Sequence, residues 1–278
     1  MVEHQVVAPS VHATVLAHYE RVVDLIAANF PSVPIVPVYY PAGLDGEAHY
    51  GGAVHGGQPL PTTIRTVACG APQRPRRYIA ADANALLWLV HRGAIDFASW
   101  TPSPSDPNAV GSARIILSPR GGATAEHVSL AMLAMRTALL QCGIEAIPVL
   151  DGFAGAALFI PFNDAPSYEA VRAWLHTVAN GAVERNAELL TADQHEQKKE
   201  RVHVNVGSNA VGRFSSLPYA LIGSTHLGMV TPIHWNELGV VRNGHYTAEN
   251  SAERLADGDM FYRFARELHD QRFGDGPR

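Results

Sequence analysis

The chain has 278 residues, 47% hydrophobic and 17% charged, with a formal net charge of -5. That length supports a core that needs no disulfide or metal staple, and the apolar fraction excludes a disordered chain. The two lysines, Lys198 and Lys199, are adjacent, and the arginines scatter apart from Arg74, Arg76 and Arg77, so the charge pattern argues against a nucleic-acid partner.

The polar start, with Val2, Glu3, His4 and Gln5, carries no basic and apolar leader. No apolar run approaches the roughly 20 residues of a bilayer span, so no membrane partner is expected. Val15, Leu16, Tyr19, Val22, Val23 and Ile26 recur at helical spacing and predict a helix over 13–29, ended by Pro31. Residues 33–40 form an apolar run with three prolines nearby, which predicts an edge strand. A turn follows at 41–46 and a Gly/Pro-rich loop at 51–61. Residues 62–67 read as a strand and 70–75 as a loop.

Asp82 is placed to cap a helix running to about Arg92, closed by Gly93. Residues 100–111 are a loop rich in Ser, Pro and Asp, and 112–117 a strand. Thr124 caps a helix through Gln141, stopped by Gly143. Strands at 144–150 and 156–162 pair around Asp151 and Gly152. Ser167 caps a helix through about Leu190, and further strands are predicted at 201–206 and 217–222. A single amphipathic helix over 248–271 closes the chain. The pattern predicts an α+β fold with a mixed central sheet flanked by helices, in one domain over 1–278 with sub-regions of about 1–110 and 111–278. Cys69 and Cys142 lack CxxC spacing and are expected to be reduced thiols in a cytoplasmic protein.

Several segments resemble the polymerase domain of bacterial ligase D, a branch of the archaeo-eukaryotic primase superfamily. Tyr40-Pro41-Ala42-Gly43-Leu44-Asp45-Gly46-Glu47 is similar to that family's F/Y-P-D-G-I-D-G-E. Tyr78-Ile79-Ala80-Ala81-Asp82, Leu86-Leu87-Trp88, Gly93-Ala94-Ile95-Asp96-Phe97 and Trp100 are similar to Y-(V/I)-x-x-D, L-x-W and G-A-I-E-x-H-x-W. Arg201-Val202-His203-Val204-Asn205, Asn209, Gly212, Pro218-Tyr219 and Pro232-Ile233-His234-Trp235-Asn236-Glu237-Leu238 are similar to R-V-Y-I-D-Y-x-x-N-x-x-G, A-P-Y-S and P-L-x-W-D-E-L. The resemblance covers residues 12–240 and implies a primase-polymerase scaffold.

The departures bear on chemistry. Nucleotidyl transfer on such a scaffold needs two metals held by carboxylates. The family's D-L-D-P falls on Ile116-Leu117-Ser118-Pro119, and its third carboxylate on Asn205. Its triphosphate-holding K-T-S-G-G-K-G-L-H falls on 149–157, which has no lysine and no histidine. The resemblance therefore implies a scaffold without polymerase chemistry, and no metal or other cofactor is expected.

The resemblance implies that Ile116, Ser118 and Asn205, at the family's carboxylate positions, face its pocket; strand alternation then adds Arg114 and His203, with Ala157 and Phe159 on the neighbouring strand. That is an apolar floor with a few polar groups, the usual make-up of a small-molecule site. Asp96, between Ile95 and Phe97, falls where the family has a glutamate; a carboxylate in apolar surroundings suits acid–base work. Asp96 and His203 are the predicted catalytic residues. Arg65, His91, Ser118, Asp151, Phe159, Asn205 and Arg213 are the predicted substrate-binding ones, Arg65 as a carboxylate grip. In size and scaffold the chain also resembles a branch of actinomycete Pictet–Spengler enzymes, which implies condensation of tryptophan or a related aromatic amine with an aldehyde to a β-carboline. The alternative is a dead polymerase-like module linked to DNA end joining. A homodimer with a small-molecule substrate is expected.

Overall fold

In the computed structural model, which describes residues 8–54, 59–70 and 73–273, the strands assemble into two six-stranded sheets. The first holds β1 (Pro34–Tyr39), β2 (His49–Tyr50), β3 (Thr66–Cys69), β4 (Arg76–Ala80), β5 (Asp96–Ser99) and β11 (Ser215–Ser216). Its order is β11-β5-β1-β4-β3, with β2 also on β1. The second holds β6 (Ser112–Arg120), β7 (Ile147–Leu150), β8 (Ala156–Pro161), β9 (Leu190–Thr191), β10 (Arg201–Asn205) and β12 (Thr231–Pro232), in the order β12-β7-β8-β6-β10-β9. The β9–β10 pair is parallel and its other pairs antiparallel. The helices are α1 (Pro9–Asn29), α2 (Ala83–His91), α3 (Ala125–Leu140), α4 (Tyr168–Arg185), α5 (Ser251–Leu255) and α6 (Met260–Glu267).

The mixed α+β class read from the sequence stands. The strands predicted at 112–117, 156–162 and 201–206 are neighbours, with β6 between β8 and β10. Ile116 lies opposite both Ala157 and Asn205, and Ser118 opposite His203. Asp82 caps α2 as predicted, its Oδ1 accepting from the Ala85 N–H at 2.8 Å.

Other expectations change. β1 is interior, between β4 and β5, although proline runs through it. Pro37 contributes through its carbonyl, which accepts from the Gly51 N–H at 2.7 Å, a role that needs no N–H. The strand expected at 62–67 begins at Thr66, and β4 and β5 went unpredicted. At 217–222 there is only an isolated bridge, Leu221 to Met229. The closing helix is two, because Gly258 has φ of +84° and Asp259 then caps α6 by accepting from the Tyr262 N–H. The N-terminal residues 1–7 and part of the 51–61 loop lie outside the described residues.

Two apolar clusters form the core. One gathers α1, α2, the inward side of the first sheet, and Ile147, Val149, Ala157 and Phe159 from the second. The other packs α3 and α4 on the opposite face of the second sheet, where Ala113, Ile115 and Leu117 point. Alternation along β6 thus sends Arg114 and Ile116 toward the first sheet. Tyr19 ties elements of the first cluster together: its hydroxyl donates to the Ile95 carbonyl at 2.8 Å and accepts from the Leu221 N–H at 3.0 Å. Cys69 and Cys142 are free thiols. Among the described residues no helix is long and apolar enough to cross a membrane.

Candidate functional site

A cavity of about 210 Å³ opens beside β6 and β8, lined by Ile116, Asp151, Phe153, Ala156, Ala157, Phe159, Ser215, Ser216, Ile222 and Val230. The apolar floor predicted from alternation is present in Ile116, Ala157 and Phe159. Phe159 is held by edge contact with Phe261 at a ring distance of 5.5 Å. Besides Asp151, the polar residues on the wall are Ser215 and Ser216 of β11, a two-residue strand with no signal in hydrophobic periodicity.

Behind that wall lies Asp96, the first residue of β5 and 6% exposed. Its Oδ2 accepts from the Ser216 hydroxyl at 2.8 Å, and its Oδ1 has no partner. Burial pushes the carboxyl up to about 7, against the opposing effect of the Ser216 and Phe97 hydrogen bonds. A carboxylate desolvated on one oxygen and tethered on the other exchanges a proton near neutral pH. Its charge also raises Tyr40 and Tyr50, in addition to their burial. Asp96 does not cap a helix; it starts a strand, and it reaches the cavity wall through Ser216.

Arg114 shares this region. It is 1% exposed and lies opposite Phe159 in the β6–β8 register. Its Nη1 donates to the Ser99 carbonyl and to the Ser215 hydroxyl, both at 2.6 Å, and its Nη2 donates to the Arg213 carbonyl at 3.2 Å. Desolvation lowers it to about 10.

The remaining predicted residues divide. Asp151 lines the cavity, but Oδ1 accepts from the backbone N–H groups of Phe153, Ala154 and Gly155, each within 2.9 Å. It clasps the β7–β8 turn, and its carboxyl is raised by burial in spite of those bonds. His203 and Asn205 line a different cavity of about 410 Å³ beside β9 and α4, with His176, Asp193 and His195. Burial lowers His203 there. Asn205 Oδ1 is taken by the Gly207 N–H at 2.8 Å. Ser118 is half-buried opposite His203 and lines neither cavity. Arg65 is exposed, its guanidinium 3.5 Å from Asp82 in a surface ion pair. His91 ends α2 exposed to solvent, and the Arg213 side chain is exposed while its carbonyl serves Arg114. Helical and loop positions with no period to fix their direction account for these three.

Residues 12–261 match the family model of the LigD primase-polymerase domain. The chain belongs to this family. Among curated proteins it is similar to the multifunctional non-homologous end joining protein LigD of Mycobacterium bovis and to its Mycobacterium tuberculosis counterpart. Each is 23% identical over 258 residues, a match covering 88% of this chain and 34% of the relative. The chain therefore spans about a third of the length of these relatives. Among solved structures it resembles the polymerase domain of M. tuberculosis ligase D in complex with DNA. That match has a TM-score of 0.80 at 18% identity and covers 100% of this chain and 98% of the other. The expectation set against a nucleic-acid partner is corrected by this neighbour, which was solved with DNA bound. Net charge sums the whole surface, whereas a duplex or strand meets one face, so it does not by itself exclude such a partner.

The pair of divalent ions that the primase-polymerase resemblance implies does not fit the residues at the corresponding positions. Ile116 offers no donor, Asn205 has its oxygen committed to Gly207, and Ser118 is a neutral hydroxyl opposite His203. Among the described residues no group of three or more His, Cys, Asp or Glu side chains is placed to hold a metal ion.

Proposed function

We propose that this LigD-type scaffold carries metal-independent acid–base chemistry on a small molecule in the cavity between its sheets. The reaction is a Pictet–Spengler-type condensation of an aromatic amine with an aldehyde. The observation that carries the proposal is Asp96, a buried carboxylate with one unpartnered oxygen, held by a serine of the cavity wall and poised near pH 7. The amine and aldehyde join with loss of water to an iminium. The aromatic carbon attacks the iminium carbon, forming the new carbon–carbon bond. The resulting ring cation loses the proton on the attacking aromatic carbon to the Ser216 hydroxyl oxygen as that hydroxyl passes its own proton to the Asp96 carboxylate, which restores aromaticity. The apolar floor of Ile116, Ala157 and Phe159 suits a flat aromatic partner and excludes water from the iminium. Holding the two reactants together supplies a large part of the rate. The test is incubation of the purified chain with tryptophan or tryptamine and a panel of aldehydes in EDTA. A product with the mass of amine plus aldehyde less one water, made stereoselectively, supports the reading. Its absence across the panel counts against it.

A second reading is favoured by the comparisons: a polymerase-like nucleic-acid-binding module linked to DNA end joining. It is supported by the family match over 12–261 and by the fold shared with a polymerase domain bound to DNA. On this reading the chain holds DNA without extending it. Gel-shift titration with recessed-end and single-stranded DNA at 50 mM and 200 mM salt tests it directly, because phosphate contacts weaken steeply with salt.

A further inference from the structure

Arg114 is a buried cation that the proposed chemistry has not yet used. Among the described residues no carboxylate is paired with it. Burying an arginine without a counter-charge is costly, and three neutral oxygens, Ser99 O, Ser215 Oγ and Arg213 O, offset only part of that cost. Its Nε has no partner at all. Its neighbours on the same face, Ile116 and Phe159, line the cavity, and so does Ser215. The Ser215 hydroxyl accepts from Nη1 at 2.6 Å, so its own proton remains free to be donated elsewhere. The next residue of the same short strand, Ser216, donates to Asp96. Two adjacent serines therefore link the cavity wall to one buried cation and one buried acid.

We propose that Ser215, backed by the Arg114 guanidinium, is the recognition element for a carboxylate of the ligand in this cavity. Ser215 touches the carboxylate; Arg114 is a positioning residue that polarises the hydroxyl and supplies the compensating charge. The inference rests on the small-molecule reading of the cavity and assigns its substrate class. Arg213, a sequence-predicted substrate-binding residue, meets Arg114 through its backbone carbonyl.

The test is calorimetric titration of the intact chain with L-tryptophan, tryptamine and dAMP, in wild type, Arg114→Lys and Ser215→Ala. Arg114→Lys keeps the buried charge, and Ser215→Ala leaves the arginine in place, so one variant reports if the other misfolds. A charge-assisted hydrogen bond predicts that wild type binds tryptophan about tenfold to a hundredfold more tightly than tryptamine. That ratio should collapse toward one in both variants, while tryptamine affinity stays near wild type; a merely structural arginine would weaken both ligands together. A ratio near one in wild type, or a ratio unchanged in both variants, overturns the proposal. If dAMP binds in a variant-sensitive way and neither indole binds, the element takes a phosphoryl group instead of a carboxylate, and the proposal falls with the small-molecule condensation reading. If none of the three binds, both fall.

Discussion

Replacing Asp96 with asparagine keeps the shape of the side chain and removes its titration. The folded-state carboxyl is pushed from an ordinary 3.8 to about 7 by burial. A group whose folded value is raised contributes stability that is fully present below its unfolded value and is lost as pH rises through the folded one. Wild type should therefore lose stability between about pH 4 and pH 7. At about 1.4 kcal/mol per pH unit that interval amounts to about 4 kcal/mol, an upper figure because the unfolded chain and local relaxation both reduce it. Above pH 7 the cost is constant. Urea denaturation at several pH values from 4.5 to 8 measures this in both proteins. The Asp96→Asn curve should lack this decline, so the variant gains on wild type steadily across the window and equals or exceeds its stability at pH 8. Parallel curves for the two proteins would show that Asp96 titrates at an ordinary value and that its burial is not felt as a charge penalty.

Other outcomes follow from neighbouring features. Primer-extension assays with magnesium or manganese should show no template-dependent incorporation, because Ile116, Ser118 and Asn205 do not make a two-metal site; measurable incorporation would refute that statement. Asp151→Ala removes the acceptor for three backbone N–H groups of the β7–β8 turn and should cost about 1–3 kcal/mol in urea midpoints. An unchanged midpoint would show that the turn does not depend on that clasp. Arg254, 2% exposed, donates to Glu237 and to the Pro232 carbonyl. Arg254→Met strands Glu237 and should cost about 3–5 kcal/mol, part of which Glu237→Gln restores in the double variant.

How much of this was legible in the chain follows from periodicity. β6 and β8 were legible as apolar runs and β10 by its alternating polarity, while their adjacency and the Ile116–Ala157–Phe159 floor were implied by the family resemblance before any coordinates. Helix α2 announced itself through Asp82 and Gly93. The wall formed by Ser215 and Ser216 was not readable, because two serines in a Gly/Ser-rich stretch have no hydrophobic period. Strand β1 read as an edge because its prolines weaken strand signals locally, whereas its partners come from distant segments. Asp96 was singled out by its apolar flanks, and burial bears that out, but it lies one side chain behind the wall. His203 and Asn205 shared the expected strand face and still belong to another cavity, since the β10 edge opens toward β9 and α4. Residue direction is set by alternation; which cavity a direction serves is set by tertiary packing.

The most direct measurement of the central claim is the pH dependence of turnover in EDTA for the amine–aldehyde condensation, with wild type and Asp96→Asn side by side. On the proposed mechanism the carboxylate form of Asp96 is the base, so wild-type kcat should rise with pH through an apparent midpoint near 7 and level off above it. Asp96→Asn should lose about 10²–10⁴ in rate and lose that rise. A wild-type profile that is flat from pH 5 to 8, or an Asp96→Asn variant that turns over normally, would contradict the account.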